Sequence, residues 1–474
     1  MAATLELDDI QGLVARGYGT LRFATFVLLR INDSAAARAW LGVLAGEVAT
    51  AERGDRSEAV HVAFTHSGLR GLGLPERSLA GFPDEFTGGM ITDHRRRILG
   101  DVGESAPEQW RWGGPSNPVD AVLLLYAENE TGLKNLVDRH AESTALGVAG
   151  LAAVQRLDTT PLDGTEPFGF RDGISQPLIA ELGPPSRPGP RLHTVRAGEF
   201  VLGYQNQYGQ VADSPTVAAA DDPDGVLPRT GDPERADLGR NGSYLVLRQL
   251  GQDVNGFRHF VDQASRADGQ TDRDASTRLA AKMVGRWPNG APLALAPDHP
   301  VDDLADANDF GYADDDAAGL GCPVGAHIRR ANPRDALDSE SGPDQSIRSV
   351  NRHRLLRRGR AYHEPSDPGE RGIHFICLNA NIARQFEFVQ HTWLNNPKFA
   401  GLYDDTDPLV ATHQGDAGRT FTVQARPLRQ RITGLPPFVT VKGGAYFFLP
   451  GRRTLRFLAG QPAEPNQDQS RRTP

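Results

Sequence analysis

Cysteine is almost missing from this chain of 474 residues: Cys322 and Cys377 are the only two. Two thiols so placed suggest neither a disulfide framework nor a cysteine-rich metal site, and buried free thiols are expected; a bond between them would require the two segments to meet. Long apolar runs are missing as well. Stretches such as Ala121-Val122-Leu123-Leu124-Leu125-Tyr126-Ala127 fall far short of the ~20 residues that cross a bilayer, so no membrane partner is expected. The start, Met1-Ala2-Ala3-Thr4-Leu5-Glu6-Leu7-Asp8-Asp9, lacks the basic and apolar regions of a secretory signal. A cytoplasmic location is the expectation, with unconventional export or encapsulation open. There is no excess of positive charge. The formal net charge of -9 argues against a nucleic-acid partner, though not against local basic pockets. Gly68-Leu69-Arg70-Gly71-Leu72-Gly73 is glycine-rich but has neither the Lys-Ser/Thr of a phosphate-binding loop nor a dinucleotide fingerprint.

What is present is an ordinary globular composition, 39% hydrophobic and 23% charged. The length exceeds the about 250 to 300 residues that one core usually serves, so two lobes are expected. Phe26 to Ile31 reads as a buried strand, followed by an Asn32-Asp33-Ser34 cap and a helical run from Ala35 to Val48. Tyr244 to Arg248 repeats this pattern, with a turn at Gly251-Gln252-Asp253 and a helix reaching Ser265. Further strands are expected at His61 to Phe64, Ala121 to Tyr126, Gly372 to Cys377 and Ala445 to Leu449. Strands and helices without strict alternation suggest an α+β fold with antiparallel sheets and helices on one face. A Pro/Gly/Asp-rich region from Gly183 to Gly242, interrupted by a strand-like Glu199 to Tyr204, lies between the halves. A second irregular stretch, Pro297 to Gly321, leads towards His327.

Three segments carry chemistry. Pro167-Phe168-Gly169-Phe170-Arg171-Asp172-Gly173-Ile174-Ser175-Gln176-Pro177 holds one carboxylate, Asp172, between glycines that allow a close approach to a flat ligand. The prolines fix the entry and exit of that loop. Gly321 to Arg334 sets a single histidine, His327, before three arginines; neutral imidazole binds haem iron, and guanidinium groups pair with carboxylates. Arg354-Leu355-Leu356-Arg357-Arg358-Gly359 is a second basic cluster.

In that order, these segments resemble the dye-decolorizing peroxidases, and the likeness runs from Asp9-Ile10-Gln11-Gly12-Leu13 to Val441-Lys442-Gly443-Gly444-Ala445. Gly169-Phe170-Arg171-Asp172-Gly173 matches the family's GxxDG signature, and Ala326-His327-Ile328-Arg329 with Asn332-Pro333-Arg334 matches its proximal-ligand segment. Leu355-Leu356-Arg357-Arg358-Gly359 matches the segment of the distal arginine, best aligned on Arg357. Where relatives often continue with Pro-Tyr-Gly, this chain has Ala361-Tyr362-His363, so Arg354 and Arg358 stay open as alternatives. Phrases such as Gly372-Ile373-His374-Phe375 and Lys282-Met283-Val284-Gly285-Arg286-Trp287 point to the longer bacterial and fungal-like members.

The resemblance implies two ferredoxin-like lobes with antiparallel sheets and peripheral helices, residues 1–190 carrying the GxxDG loop and 191–474 holding most of the haem. It implies one haem b per chain and a peroxidase that reduces hydrogen peroxide through a ferryl intermediate and oxidises dyes, phenolics or other small aromatic donors. A haem-handling protein with little turnover is the alternative, which would need neither Asp172 nor Arg357. His327 would ligate the iron, with Asp407 accepting from its other ring nitrogen. Asp172 would move the peroxide proton, and Arg357 would stabilise charge on the leaving oxygen. A carboxylate base, with an ordinary pKa of about 3.9 against about 6.5 for imidazole, implies activity that persists in acid. Ile373 and Phe375, alternate residues of one strand, would wall the distal pocket. Arg329 and Arg334 are candidates for the haem propionates. Trp110, Trp112, Trp287, Trp393 and Tyr362 are possible electron relays to which no role is assigned; the oligomeric state is not legible.

Overall fold

In this computed structural model the structure describes residues 4–140, 150–182, 192–267, 270–338, 340–364, 367, 369–412 and 419–460. The first half begins with β1 (Phe23–Ile31), whose apolar residues are buried on both faces, and α1 (Ser34–Glu47). Asp33 starts that helix: its carboxylate accepts from Ala36 N at 2.8 Å, satisfying a donor that the first turn leaves free. Then come β2 (Glu58–Phe64), β3 (Ala121–Ala127), α2 (Glu130–His140) and β4 (Leu151–Asp158). The second half repeats the opening with β5 (Ser243–Gln252) and α3 (Val254–Ala264), capped by Asp253 accepting from Gly256 N at 2.8 Å. It continues through α4 (Arg273–Val284), α5 (His327–Ala331), β6 (Leu356–Arg357), β7 (Arg360–His363), β8 (Arg371–Asn379), β9 (Val439–Leu449) and α6 (Arg452–Gly460).

One nine-stranded sheet joins the halves in the order β6-β8-β5-β9-β2-β3-β1-β4, with β7 paired to β8. Within each half the order is second, third, first, fourth, all antiparallel, which is the ferredoxin-like arrangement twice over. The two lobes meet at β2 and β9, where Phe64 faces Phe448. Strand parity assigns the faces. Leu245 and Leu247 join a core with Phe26, Leu124 and Phe447, while Tyr244 and Val246 join the core under α1 and α6. Arg248, Leu250 and Gln252 continue along that second face, beyond the helices, where a cavity opens. Among the described residues no helix is long and apolar enough to cross a membrane. The boundary expected at residue 190 lies outside the described residues.

Two local expectations are corrected. Glu199 to Tyr204 is not a strand: a 3-10 turn at Ala197–Glu199 runs into further turns, and Gly198 N donates to Gln205 O at 3.2 Å. Phe200, Val201 and Leu202 are apolar because they plug the cores, not because they pair in a ladder. Gly251 and Gln252 are not a turn either, since Gly251 is paired with Gly372 on one side and Thr440 on the other. Both cysteines are free and buried.

Buried histidines couple this fold to pH, His61 and His374 among them. His61 sits between Tyr18 Oη at 2.9 Å and Gln11 Oε1 at 3.2 Å, and burial, with Arg56 nearby, pushes it down to about 3. Burial pushes His374, stacked on Tyr362 with centroids 4.3 Å apart, down to about 4. In the unfolded chain both rings titrate near ~6.5, so below that pH the unfolded state binds more protons. Their contribution is complete above ~6.5 and is lost as pH falls towards the folded values. The melting temperature should therefore drop between about pH 7 and about pH 4.5, and His61→Gln should flatten that slope. An unaltered slope in this variant would refute the assignment.

Candidate active site

The cavity, of 280 Å³, is lined by the second-half sheet on one side and by α4, α5 and the segment around Leu409 on another, with the GxxDG loop closing it. His327 opens α5 and presents its ring to this space; the 28% of its side chain that stays accessible belongs to a residue of the cavity wall. Its Nδ1 lies 2.9 Å from Asp407 Oδ2. Asp407 is fully buried, and its other oxygen accepts from Leu409 N and Val410 N, each at 2.9 Å. Burial alone would lower the imidazole's pKa, but the Asp407 charge and hydrogen bond outweigh it and raise it. Burial would likewise raise Asp407, and His327 with the backbone donors brings it below the usual carboxylate range. With Nδ1 committed to Asp407, Nε2 is left for the cavity.

The GxxDG loop reaches the same cavity from the first half. Gly169 and Gly173 have φ of +99° and +83°, conformations that residues with a Cβ rarely adopt, and they bracket Asp172. Phe168 and Phe170 anchor the loop against α3, with Phe168 and Phe257 centroids 4.7 Å apart. Asp172 N donates to Gly164 O at 2.8 Å, and its Oδ1 lies 3.4 Å from Arg357 Nη1. Arg357 is held at the sheet edge by its own N donating to Gln176 Oε1 at 3.1 Å. Ile373 and Phe375 line the cavity from β8, and His374 between them turns to the other face and lies 3.1 Å from Asp158 O.

Of the three arginines left open, Arg357 alone faces Asp172. Arg358 turns away to donate to Leu13 O at 2.7 Å and Val14 O at 2.9 Å. Arg354 lines the cavity but donates to Leu192 O at 3.1 Å.

Arg329 and Arg334 do not reach the cavity. Two residues along a helix turn the side chain about 200°, so Arg329 points away from the face of His327. Its Nη1 donates to Cys322 O at 2.8 Å and Asp316 O at 3.0 Å. Arg334, past the helix end at φ +56°, donates to Asn308 O at 2.7 Å and Phe310 O at 2.9 Å, with its guanidinium 3.8 Å from the Phe310 ring centroid. Cavity positions that sequence reasoning passed over include Glu166, Arg286 and the buried pair of Arg248 with Asp101. Arg286 lies inside a phrase quoted for the resemblance, but nothing near it in sequence marks it as lining a site. Trp110, Trp112, Trp287, Trp393 and Tyr362 are all buried. Among the described residues no group of three or more His, Cys, Asp or Glu gathers as a metal site.

No protein-family model matches the chain. A dye-decolorizing peroxidase of Mycena epipterygia is 31% identical over 85% of this chain and 76% of its own length. A multifunctional dye peroxidase of Amycolatopsis is 29% identical, with 96% of each chain covered. Among solved structures, an ancestral D-type dye-decolorizing peroxidase superposes with a TM-score of 0.77 at 27% identity, covering 96% of this chain and 99% of that one. One from Auricularia auricula-judae gives a TM-score of 0.77 at 24% identity, covering 96% and 100%. With 31% identity to the Mycena enzyme sustained over 85% of this chain and 76% of that one, and the GxxDG loop and histidine segment meeting at one cavity, this chain belongs to the dye-decolorizing peroxidases, a family of haem enzymes.

Proposed function

We propose that this peroxidase holds one haem b per chain between His327 and the Asp172–Arg357 pair, and reduces hydrogen peroxide to water while oxidising small aromatic donors. The observation that carries the reading is that a carboxylate-backed imidazole and an acid–guanidinium pair line one cavity from separate elements. The cavity's unspent cations fit the anionic edge of haem. Arg286 Nη2 is buried without a partner, and neither Arg286 nor Arg354 has a carboxylate partner among the described residues. Burial, with Arg334 nearby, lowers Arg286 to about 10; burial, with Arg334 and Arg357, lowers Arg354 to about 9. Buried cations so placed favour an incoming carboxylate.

When bound, haem supplies the redox equivalents that peroxide cleavage consumes and that donors restore. The chain's residues do the rest. Asp407 keeps the His327 tautomer that leaves Nε2 for the iron and makes the imidazole a stronger donor. Asp172 accepts the proton from one peroxide oxygen and returns it to the other, which departs as water. Arg357 stabilises the negative charge growing on that departing oxygen. Ile373 and Phe375 keep the distal space apolar and narrow.

Arg354→Leu tests the fit. Titrating haem into the haem-free protein should give an affinity lower by about tenfold or more, because a charge-assisted pair is lost. The melting temperature of the haem-free variant should hold or rise, since an uncompensated buried cation is gone. Unchanged haem affinity would count against this placement of the propionates.

A further inference from the structure

We propose that Glu166 is the positioning residue that holds Asp172 over the reaction site, a role that rests on the acid–base function given to Asp172 above. Its carboxylate lies in the wall of the same cavity and spans the loop from inside. Oε1 accepts from Phe170 N at 2.9 Å. Oε2 accepts from Phe168 N at 3.0 Å and from Gln252 Nε2 at 2.9 Å. The backbone closes the same ring: Glu166 N donates to Phe170 O at 2.9 Å, and Gly169 N to Glu166 O at 2.8 Å. Gln252 belongs to β5, on the face that Arg248 and Leu250 present to the cavity. One carboxylate thus gathers the turn before Asp172 and ties it to the sheet that carries the rest of the distal wall.

The loop needs such a tie. The positive φ values at Gly169 and Gly173 leave its backbone without the restriction that a Cβ would impose. Only a carboxylate offers two acceptor oxygens to this set of donors. A glutamine at 166 has one oxygen, so whichever way its amide turns, either Phe168 N or Phe170 N faces an NH2 group. The rings of Phe168 and Phe170 are anchored against α3, so what the carboxylate sets is the backbone between them and the direction in which it delivers Asp172.

Glu166→Gln, Asp172→Asn and the double variant separate this from a structural role. Steady-state kinetics per bound haem give one constant for peroxide and another for the donor. Glu166→Gln should lower the peroxide constant roughly tenfold to a hundredfold, as displaced catalytic groups do, and leave the donor constant unchanged. The double variant should react no more slowly than Asp172→Asn, because Glu166 acts through Asp172. In the haem-free protein, hydrogen exchange across 166–173 should quicken in Glu166→Gln. Equal falls in both constants, an additive double variant, or unchanged exchange would each overturn the proposal. Should Glu166→Gln fail to take up haem, Gln252→Leu carries the same test: a lower peroxide constant beside an unchanged donor constant supports the tie, and an unchanged peroxide constant overturns it. Wild-type peroxide reactivity in Asp172→Asn alone would instead sink the role of Asp172.

Discussion

His327→Ala yields a protein that takes up no haem: purified variant mixed with haem shows no Soret band of the bound form, and size exclusion separates the two. The loss is expected to be near complete, because the residue proposed to ligate the iron disappears and leaves Asp407 without its imidazole partner. Asp407 is fully buried and keeps the Leu409 and Val410 amides and the charge of nearby Arg330, but loses its one side-chain hydrogen-bond partner among the described residues. Removing one member of a buried pair typically costs about 3 to 5 kcal/mol, so the haem-free variant should also melt earlier than haem-free wild type. Imidazole in the buffer, small enough for the vacated space, should restore part of the binding. Retention of haem at wild-type affinity would show that another residue ligates the iron.

Asp172→Asn is expected to leave haem content intact and to slow the reaction with peroxide by about a hundredfold to ten-thousandfold, the range that a positioned acid–base group supplies. Asparagine can still meet Arg357, so the neighbourhood survives while the proton acceptor is lost. Mixing the haem-loaded variant with one equivalent of peroxide in a stopped-flow spectrometer measures this directly. Arg357→Leu, tested alongside, removes charge stabilisation and leaves the proton acceptor. If Asp172→Asn reacts within a few-fold of wild type, proton transfer runs through another group.

Much of this was legible in the residue order, and the exceptions share a cause. Strands and caps are local: Asp33 stands where a buried strand ends and a helix begins, and caps that helix, while Asp253, expected in a turn, caps the second helix in the same way. The Asp172 loop is legible because glycine pairs around a carboxylate are a local constraint. The arginines proposed to meet the propionates are not local. Arg329 follows His327 closely in sequence, yet helical geometry turns it to the opposite side, whereas Arg286 and Arg354 arrive from distant segments. Glu166 escaped notice because a glutamate before a proline looks like any loop residue until Phe168, Phe170 and Gln252 converge on it. Glu199 to Tyr204 misled for the same reason: apolar runs fill cores and ladders alike.

The seam between the lobes has a practical consequence. His327 and Asp407 both belong to the second half, but Asp172 crosses from the first to meet Arg357, and Phe64 with Phe448 is the registered strand pair across the join. Partial loosening there would leave a preparation brown and inert, its colour intact after competence has gone. Absorbance would then overstate how much of a sample works, and an active-site count against limiting oxidant would be the sounder measure of specific activity.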